Sequence, residues 1–284
     1  MAFHSEQKSR LIAKSSEAVN KEKTDMKRII AFAYGIVCYA VFLAALLYTI
    51  GFLGNFAVPK SIDSGAEGSA IVALAIDGAL LALFALQHSI MARPWFKRAW
   101  TRIVPEPVER STYVLFSSAA LLLLFWQWRP IGGILWSVDG GIAQTIMLAS
   151  YIAGLSIVLL STFLINHFDL FGLRQVYLYL VGRKYTQLEF RTPFFYRFVR
   201  HPLYVGWLLT FWPASVMTVT HLFFAVMTTA YIFVAIRFEE ADLVSVYGEK
   251  YQQYRKQVPM IVPALGTNAT PGMRGAPDKT AAVN

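Results

Sequence analysis

Residues 201–236 read HPLYVGWLLTFWPASVMTVTHLFFAVMTTAYIFVAI, 36 positions without an Asp, Glu, Lys or Arg. A helix needs about 20 apolar residues, rising about 1.5 Å each, to cross roughly 30 Å of hydrocarbon. The stretch is too long for one such helix. Thr218–His221 divides it into two short halves, which predicts a tight helical hairpin. Arg200 closes one end and Arg237-Phe238-Glu239-Glu240 the other. A hairpin puts its ends side by side, so polar groups far apart in sequence are expected to meet.

Outward from this stretch, charge-free runs cover 29–59, 111–128 and 140–168, and 68–92 holds only Asp77. Charged residues make up 15% of the chain against about 25% for a soluble domain. Backbone groups in lipid must pair internally, which allows helices or closed barrels. Barrel strands would alternate over about ten residues, and these runs are uniformly apolar. The fold expected is all-α: a polytopic membrane bundle of five to six spans with a C-terminal hairpin and a cytosol-facing pocket. A polar N-terminal tail (1–27), a membrane domain (28–265) and a disordered Gly- and Pro-rich tail (266–284) are expected.

The net charge of +9 does not point to nucleic acid, because it is segregated. Residues 1–28, 93–110 and 169–200 carry +3, +3 and +4, whereas 60–67 carries −1 and 129–139 is neutral. That alternation follows the positive-inside rule. It predicts both termini, 93–110 and 169–200 on the cytoplasmic side of a membrane, with lipids as the only obligatory surroundings and no protein partner. Cys38, the one cysteine, lies in the first apolar run and excludes an internal disulfide.

Polar chemistry concentrates in three places. Arg200-His201-Pro202-Leu203-Tyr204-Val205-Gly206 opens the hairpin. Pro202 suits a first helical turn, whose free N–H groups attract anions, and His201 and Tyr204 share a face. Glu239 and Glu240 close the hairpin. Together these groups could take hydroxyls and an ammonium on the carboxylates while the helix start and Arg200 hold a carboxylate, which suits a zwitterionic nucleoside. The same residues suit an interfacial anchor. The third cluster, Asn166-His167-Phe168-Asp169 followed by Arg174-Gln175, leaves the 140–168 run. Asp77 is an ionisable residue expected deep in a span, a functional signal by default. His88 lies near the end of that run.

The pattern Arg-His-Pro-x-Tyr-x-Gly at 200–206, with Glu239-Glu240 and the Tyr247–Tyr254 stretch, resembles the C-terminal signature of the isoprenylcysteine carboxyl methyltransferase superfamily. Gln87–Pro94, Glu109–Val114 and Asn166–Gln175 resemble one branch, the methanethiol S-methyltransferases, extending the likeness over about 28–265. The resemblance implies S-adenosyl-L-methionine as cofactor, with Arg200, His201, Pro202, Tyr204, Gly206, Glu239 and Glu240 around it. It also implies a small volatile thiol as substrate: methanethiol converted to dimethyl sulfide, with hydrogen sulfide as a second acceptor. Prenylcysteine carboxylates and lipid amines are the alternative acceptors. A bacterial inner membrane is the implied location.

For thiol activation, His167 is the candidate base with Asp169 orienting it, because imidazole titrates near working pH. Arg174 could hold the thiolate. His88 with Asp77, or a tyrosine, could serve instead. No metal is called for. A reading from another class, a haem-binding electron carrier, would use His88, His167 or His221 as axial ligands.

Overall fold

A computed structural model gives the fold of residues 2–65 and 68–263. Among the described residues, five helices are long and apolar enough to cross a membrane: α1 (Ala2–Gly54), α2 (Ala70–Ala92), α4 (Glu106–Gln127), α5 (Gly141–Ile165) and α9 (Val219–Tyr247). Shorter elements are α3 (Pro94–Trp100), α6 (His167–Leu170), α7 (Leu173–Leu180), α8 (Pro202–Phe211) and α10 (Glu249–Gln257). A two-stranded antiparallel ribbon joins β1 (Ile134–Ser137) to β2 (Val216–Thr218). The predicted disordered segment 266–284 lies outside the described residues.

The hairpin divides at Thr218, as its sequence implies, but its first limb is not all helix. Pro213 removes an N–H and disfavours helical geometry at Trp212, so α8 stops at Phe211 after ten residues. Ten residues rise only about 15 Å. The rest of that passage is the extended chain to β2, whose polar backbone is paired with β1. Five helices and one part-helical passage therefore replace six regular spans. The second limb also runs further than expected. Glu239 and Glu240 do not end α9, which continues to Tyr247.

The polar tail expected over 1–27 is not separated from the first span, because α1 is one unbroken helix from Ala2. No Gly or Pro interrupts residues 2–34, and Lys, Glu, Ala and Arg, all strong helix formers, are frequent there. Asp77 lies about 10 Å from the start of α2, not at its middle. Its side chain is buried and accepts the Arg129 backbone N–H at 3.0 Å, on the face opposite Arg200.

On that opposite face Trp128 is fully buried against Phe52 and Phe224, and its indole N–H donates to the Ile62 carbonyl at 3.1 Å. The Thr218 hydroxyl donates to Asp63 and the Trp136 indole to the Ala214 carbonyl. These contacts fix the turn of the hairpin. Residues such as Ile71, Ile142, Ile146 and Phe163 are exposed on the outside of the bundle, where lipid solvates them.

Inside lipid, helices associate through close packing rather than through escape from water, and small residues allow it. Gly154 of α5 and Gly206 of α8 meet backbone to backbone. A Cβ on Gly154 would lie 2.6 Å from the Gly206 carbonyl, and one on Gly206 would lie 2.7 Å from the Gly154 carbonyl. Gly206 was expected to contact the cofactor; its side-chain direction points into α5. Gly154→Val should lower the unfolding stability of the detergent-purified protein by about 1–3 kcal/mol, the usual cost of overpacking. Unchanged thermal unfolding would show that the two helices do not meet there.

Candidate active site

The polar face opposite Trp128 is assembled by the two ends of the hairpin and by α10. Arg200 is the joint. Its Nε donates to Glu240 Oε1 at 2.7 Å, and its Nη1 donates to the Arg255 carbonyl at 3.0 Å and the Val258 carbonyl at 2.6 Å. Those carbonyls belong to the end of α10, where a cation complements the helix dipole. The backbone N–H groups of Arg200 and His201 donate to the Pro259 and Met260 carbonyls. Arg200 thereby spends its Nε and Nη1 on protein groups, and only Nη2 remains for the ligand carboxylate that the sequence reading gave it.

Around this joint the predicted residues come together. His201 is buried, with Nε2 3.1 Å from Glu240 Oε1 and Nδ1 3.7 Å from Glu239 Oε2. The Tyr204 hydroxyl donates to Glu239 Oε2 at 3.0 Å. The paired carboxylates, which looked alike in sequence, differ. Glu240 is largely buried and bound by Arg200 and His201, with Arg255 at 3.8 Å. The Glu239 side chain remains 44% exposed, so it can accept donors from a ligand. Pro202 occupies the first turn of α8, as its fixed φ favours.

Aromatic residues enlarge the cradle. Tyr251 is 1% exposed and its hydroxyl has no partner. Burial, reinforced by Glu240 and Glu239, pushes that phenol well above its ordinary pKa, so it stays a neutral donor. Phe190 packs against Tyr247, Tyr251 and Tyr254 at centroid distances of 5.3, 5.7 and 5.4 Å. Tyr196 supplies the carbonyl that the Tyr254 hydroxyl reaches. The tyrosine stretch was visible in sequence; nothing in the pattern around Phe190 distinguished it.

The third cluster departs from expectation. Asp169 does not orient His167. Its Oδ1 accepts from Arg174 at 2.8 Å and its Oδ2 from the Tyr185 hydroxyl at 3.3 Å, while Arg174 also holds Thr186. Asp169 and Arg174 thus tie up their own loop. Gly172 makes that loop possible: its φ is +87°, and a Cβ would lie 2.7 Å from the Ser111 amide nitrogen. His167 is held instead by Thr162, at 2.9 Å from Nδ1, and by the Tyr39 hydroxyl, at 2.7 Å from Nε2. The His88–Asp77 pairing is also excluded, since eleven residues of α2 separate them by about 16 Å. His221 lies at the hairpin turn, with Nε2 2.9 Å from the Phe211 carbonyl.

A bundle of membrane helices with an acidic and aromatic cradle at one face defines a membrane methyltransferase once its relatives are considered. The profile of the family described as Phospholipid methyltransferase matches residues 148–250, which hold most of α5, the hairpin and the start of α10. The chain is 57% identical to the methanethiol S-methyltransferase of Crocosphaera subtropica, covering 85% of this chain and 94% of that one. It is 47% identical to the methanethiol S-methyltransferase of Mycobacterium tuberculosis, covering 84% and 98%. It is also 27% identical to nurim of Xenopus laevis, over 75% and 82%. No solved structure matches. The chain belongs to the methanethiol S-methyltransferase family.

Two outcomes follow from this geometry. Arg200→Met removes the closest cation from Glu240, leaving Arg255 at 3.8 Å, and frees the α10 carbonyls. It should cost about 3 kcal/mol of stability and open residues 249–263 to proteolysis; a protected C-terminal segment would contradict it. Burial holds the His167 imidazole below its ordinary value near 6.5. The native state keeps it neutral, so its contribution is present above that value and lost as pH falls. Thermal stability should therefore drop as pH falls below about 6.5 in the native protein, and less steeply in His167→Gln.

Proposed function

We propose that this enzyme transfers the methyl group of S-adenosylmethionine to methanethiol, releasing dimethyl sulfide, at the cytosolic face of a bacterial inner membrane. The observation that carries the cofactor reading is the unequal pair of carboxylates. Glu240 fixes the cradle, and Glu239 offers a half-exposed acceptor beside Tyr204 and the unpartnered Tyr251 hydroxyl. A ligand carrying an ammonium and ribose hydroxyls would satisfy that acceptor, and a sulfonium suits the aromatic wall around Phe190. When bound, S-adenosylmethionine supplies an electrophilic methyl carbon.

The protein's share is placement. Tyr204 and Glu239 would fix the donor's position relative to the acceptor sulfur, and alignment of reacting atoms removes much of a bimolecular barrier. A thiolate meeting a sulfonium leaves two neutral sulfurs, so a water-poor interior does not oppose the change of charge. A small thiol also dissolves in hydrocarbon and can reach the bundle from the membrane. The names of the relatives support methanethiol as acceptor. The cytosolic placement rests on the basic segments 93–110 and 169–200, which flank the cradle's face.

Purified protein given S-adenosylmethionine and methanethiol should release dimethyl sulfide into the headspace. Hydrogen sulfide and a prenylcysteine serve as competing acceptors. Absence of dimethyl sulfide, or preference for the prenylcysteine, would overturn the substrate. Glu239→Gln and Tyr204→Ala should weaken S-adenosylmethionine binding about tenfold to a hundredfold, as loss of a charge-assisted hydrogen bond implies. Wild-type affinity in both would place the cofactor elsewhere.

A further inference from the structure

Arg93 stands at the corner between α2 and α3, at the end of the bundle that carries the cradle. Pro94 begins α3 and disfavours helical geometry at the residue before it, so Arg93 is extended, with φ −71° and ψ 141°. Its side chain bridges to α9. Nε donates to the Ser89 carbonyl at 3.1 Å, one of those left free at the end of α2. Nη1 lies 2.8 Å from Asp242 Oδ2, and the guanidinium carbon lies 5.4 Å from the centroid of the Phe238 ring. Further along the same seam the Ser89 hydroxyl meets the Tyr231 hydroxyl at 3.1 Å, and Phe84 packs edge-on against Tyr231.

Tyr231, Phe238 and Asp242 are spaced seven and four apart, so they share the face of α9 that is turned to α2. Glu239 and Glu240 follow Phe238 by one and two residues, about 100° and 200° further round a helix of 3.6 residues per turn. Arg93 therefore grips α9 on the side opposite the Arg200–Glu240 pair, with Glu239 between the two. A helix held at one point can turn about it; held on two opposite sides at the same height, it cannot. Glu239 depends on that restraint. Its side chain is 44% exposed, and its one hydrogen bond among the described residues comes from the Tyr204 hydroxyl at 3.0 Å. The direction of its carboxylate thus follows the rotation of α9. The Arg93–Asp242 pair is itself part-exposed, at 21% and 35%, and such pairs add little to stability. What it supplies is orientation.

We propose that Arg93 is a positioning residue for the methyl donor: by pinning the Phe238–Asp242 face of α9 to the end of α2, it aims the Glu239 carboxylate into the cradle. This deepens the cofactor reading given above and rests on it. Arg93 touches neither donor nor acceptor in this account and acts through Glu239. Without the pin, the turn that carries Glu239 is held by Arg200 alone and samples other rotations. The donor must then order the carboxylate as it binds, and groups that are ordered only on binding lower affinity. The cradle is accordingly a three-helix device, with α2 as the brace that α8 and α10 do not provide.

The test is a double-mutant cycle on S-adenosylmethionine affinity, measured by titration calorimetry on the full-length protein in detergent. Wild type is compared with Arg93→Met, Glu239→Gln and the double variant. Arg93→Met should weaken binding about tenfold, within the range of coupling between interacting residues, while its thermal unfolding stays close to wild type. Arg93→Lys, which keeps a cation within reach of Asp242, should recover most of that loss. In the Glu239→Gln background, removing Arg93 should cost less than about twofold, since there is no carboxylate left to aim. An equal fold-loss in both backgrounds would show that Arg93 acts independently of Glu239 and would overturn the proposal. Wild-type affinity in Arg93→Met overturns it as well. If Arg93→Met unfolds in detergent, Asp242→Asn takes its place in the cycle, with the same outcomes expected, because it breaks the ion pair and leaves Arg93 on Ser89 and Phe238. Wild-type affinity in Glu239→Gln removes the cofactor reading itself; weakened binding there, beside unchanged binding in Arg93→Met, removes this inference alone.

Discussion

The ion pair between Arg200 and Glu240 sits where three elements converge. Arg200 precedes α8, Glu240 lies forty residues on in α9, and the same guanidinium takes two carbonyls at the end of α10. A charge pair shielded from water is costly to form and costlier to break on one side. Its value here is specificity: it sets the register of the hairpin ends, and with it the position of Tyr204 against Glu239. The opposite end of the hairpin is fixed differently, by the β1–β2 ribbon and the Trp128 core. One end is locked by backbone pairing and apolar packing, the other by charge.

That division explains why function collects on one face. Polar residues within a membrane bundle persist only where protein partners satisfy them. On the face that holds Trp128, Asp77 and Asp63 serve backbone and hydroxyl groups of the hairpin turn and loops. On the Arg200 face, Glu239 and the Tyr251 hydroxyl keep unused capacity. Unpartnered polar atoms occur on the Trp128 face as well, at Asp77 Oδ2 and His221 Nδ1; what distinguishes the Arg200 face is the half-exposed Glu239 beside the unpartnered Tyr251 hydroxyl.

Much of this was legible in the sequence. Long charge-free runs marked helices long and apolar enough to cross a membrane, and the hairpin brought His201 and Tyr204 to Glu239 and Glu240. What the pattern lacked was three-dimensional partnership. Asp169 sits two residues from His167, yet side chains two apart on a helix do not face each other, and Arg174 claimed it. Glu239 and Glu240 are adjacent and chemically identical, and only Arg200's reach made one a strut and the other an open acceptor. Gly206 belongs to the motif expected around the cofactor, but its partner is Gly154. Pro213, readable as a breaker, was the signal that α8 must stop short.

Photoaffinity labelling tests the central claim most directly: S-adenosylmethionine crosslinked to the purified protein by ultraviolet light, followed by peptide mapping. Label should fall on the peptides bearing Tyr204, Glu239 and Tyr251, which are far apart in sequence and brought together where the two ends of the hairpin meet α10. Label on residues 55–69 or 128–140, at the other end of the bundle, would contradict a single cradle built from the ends of the hairpin.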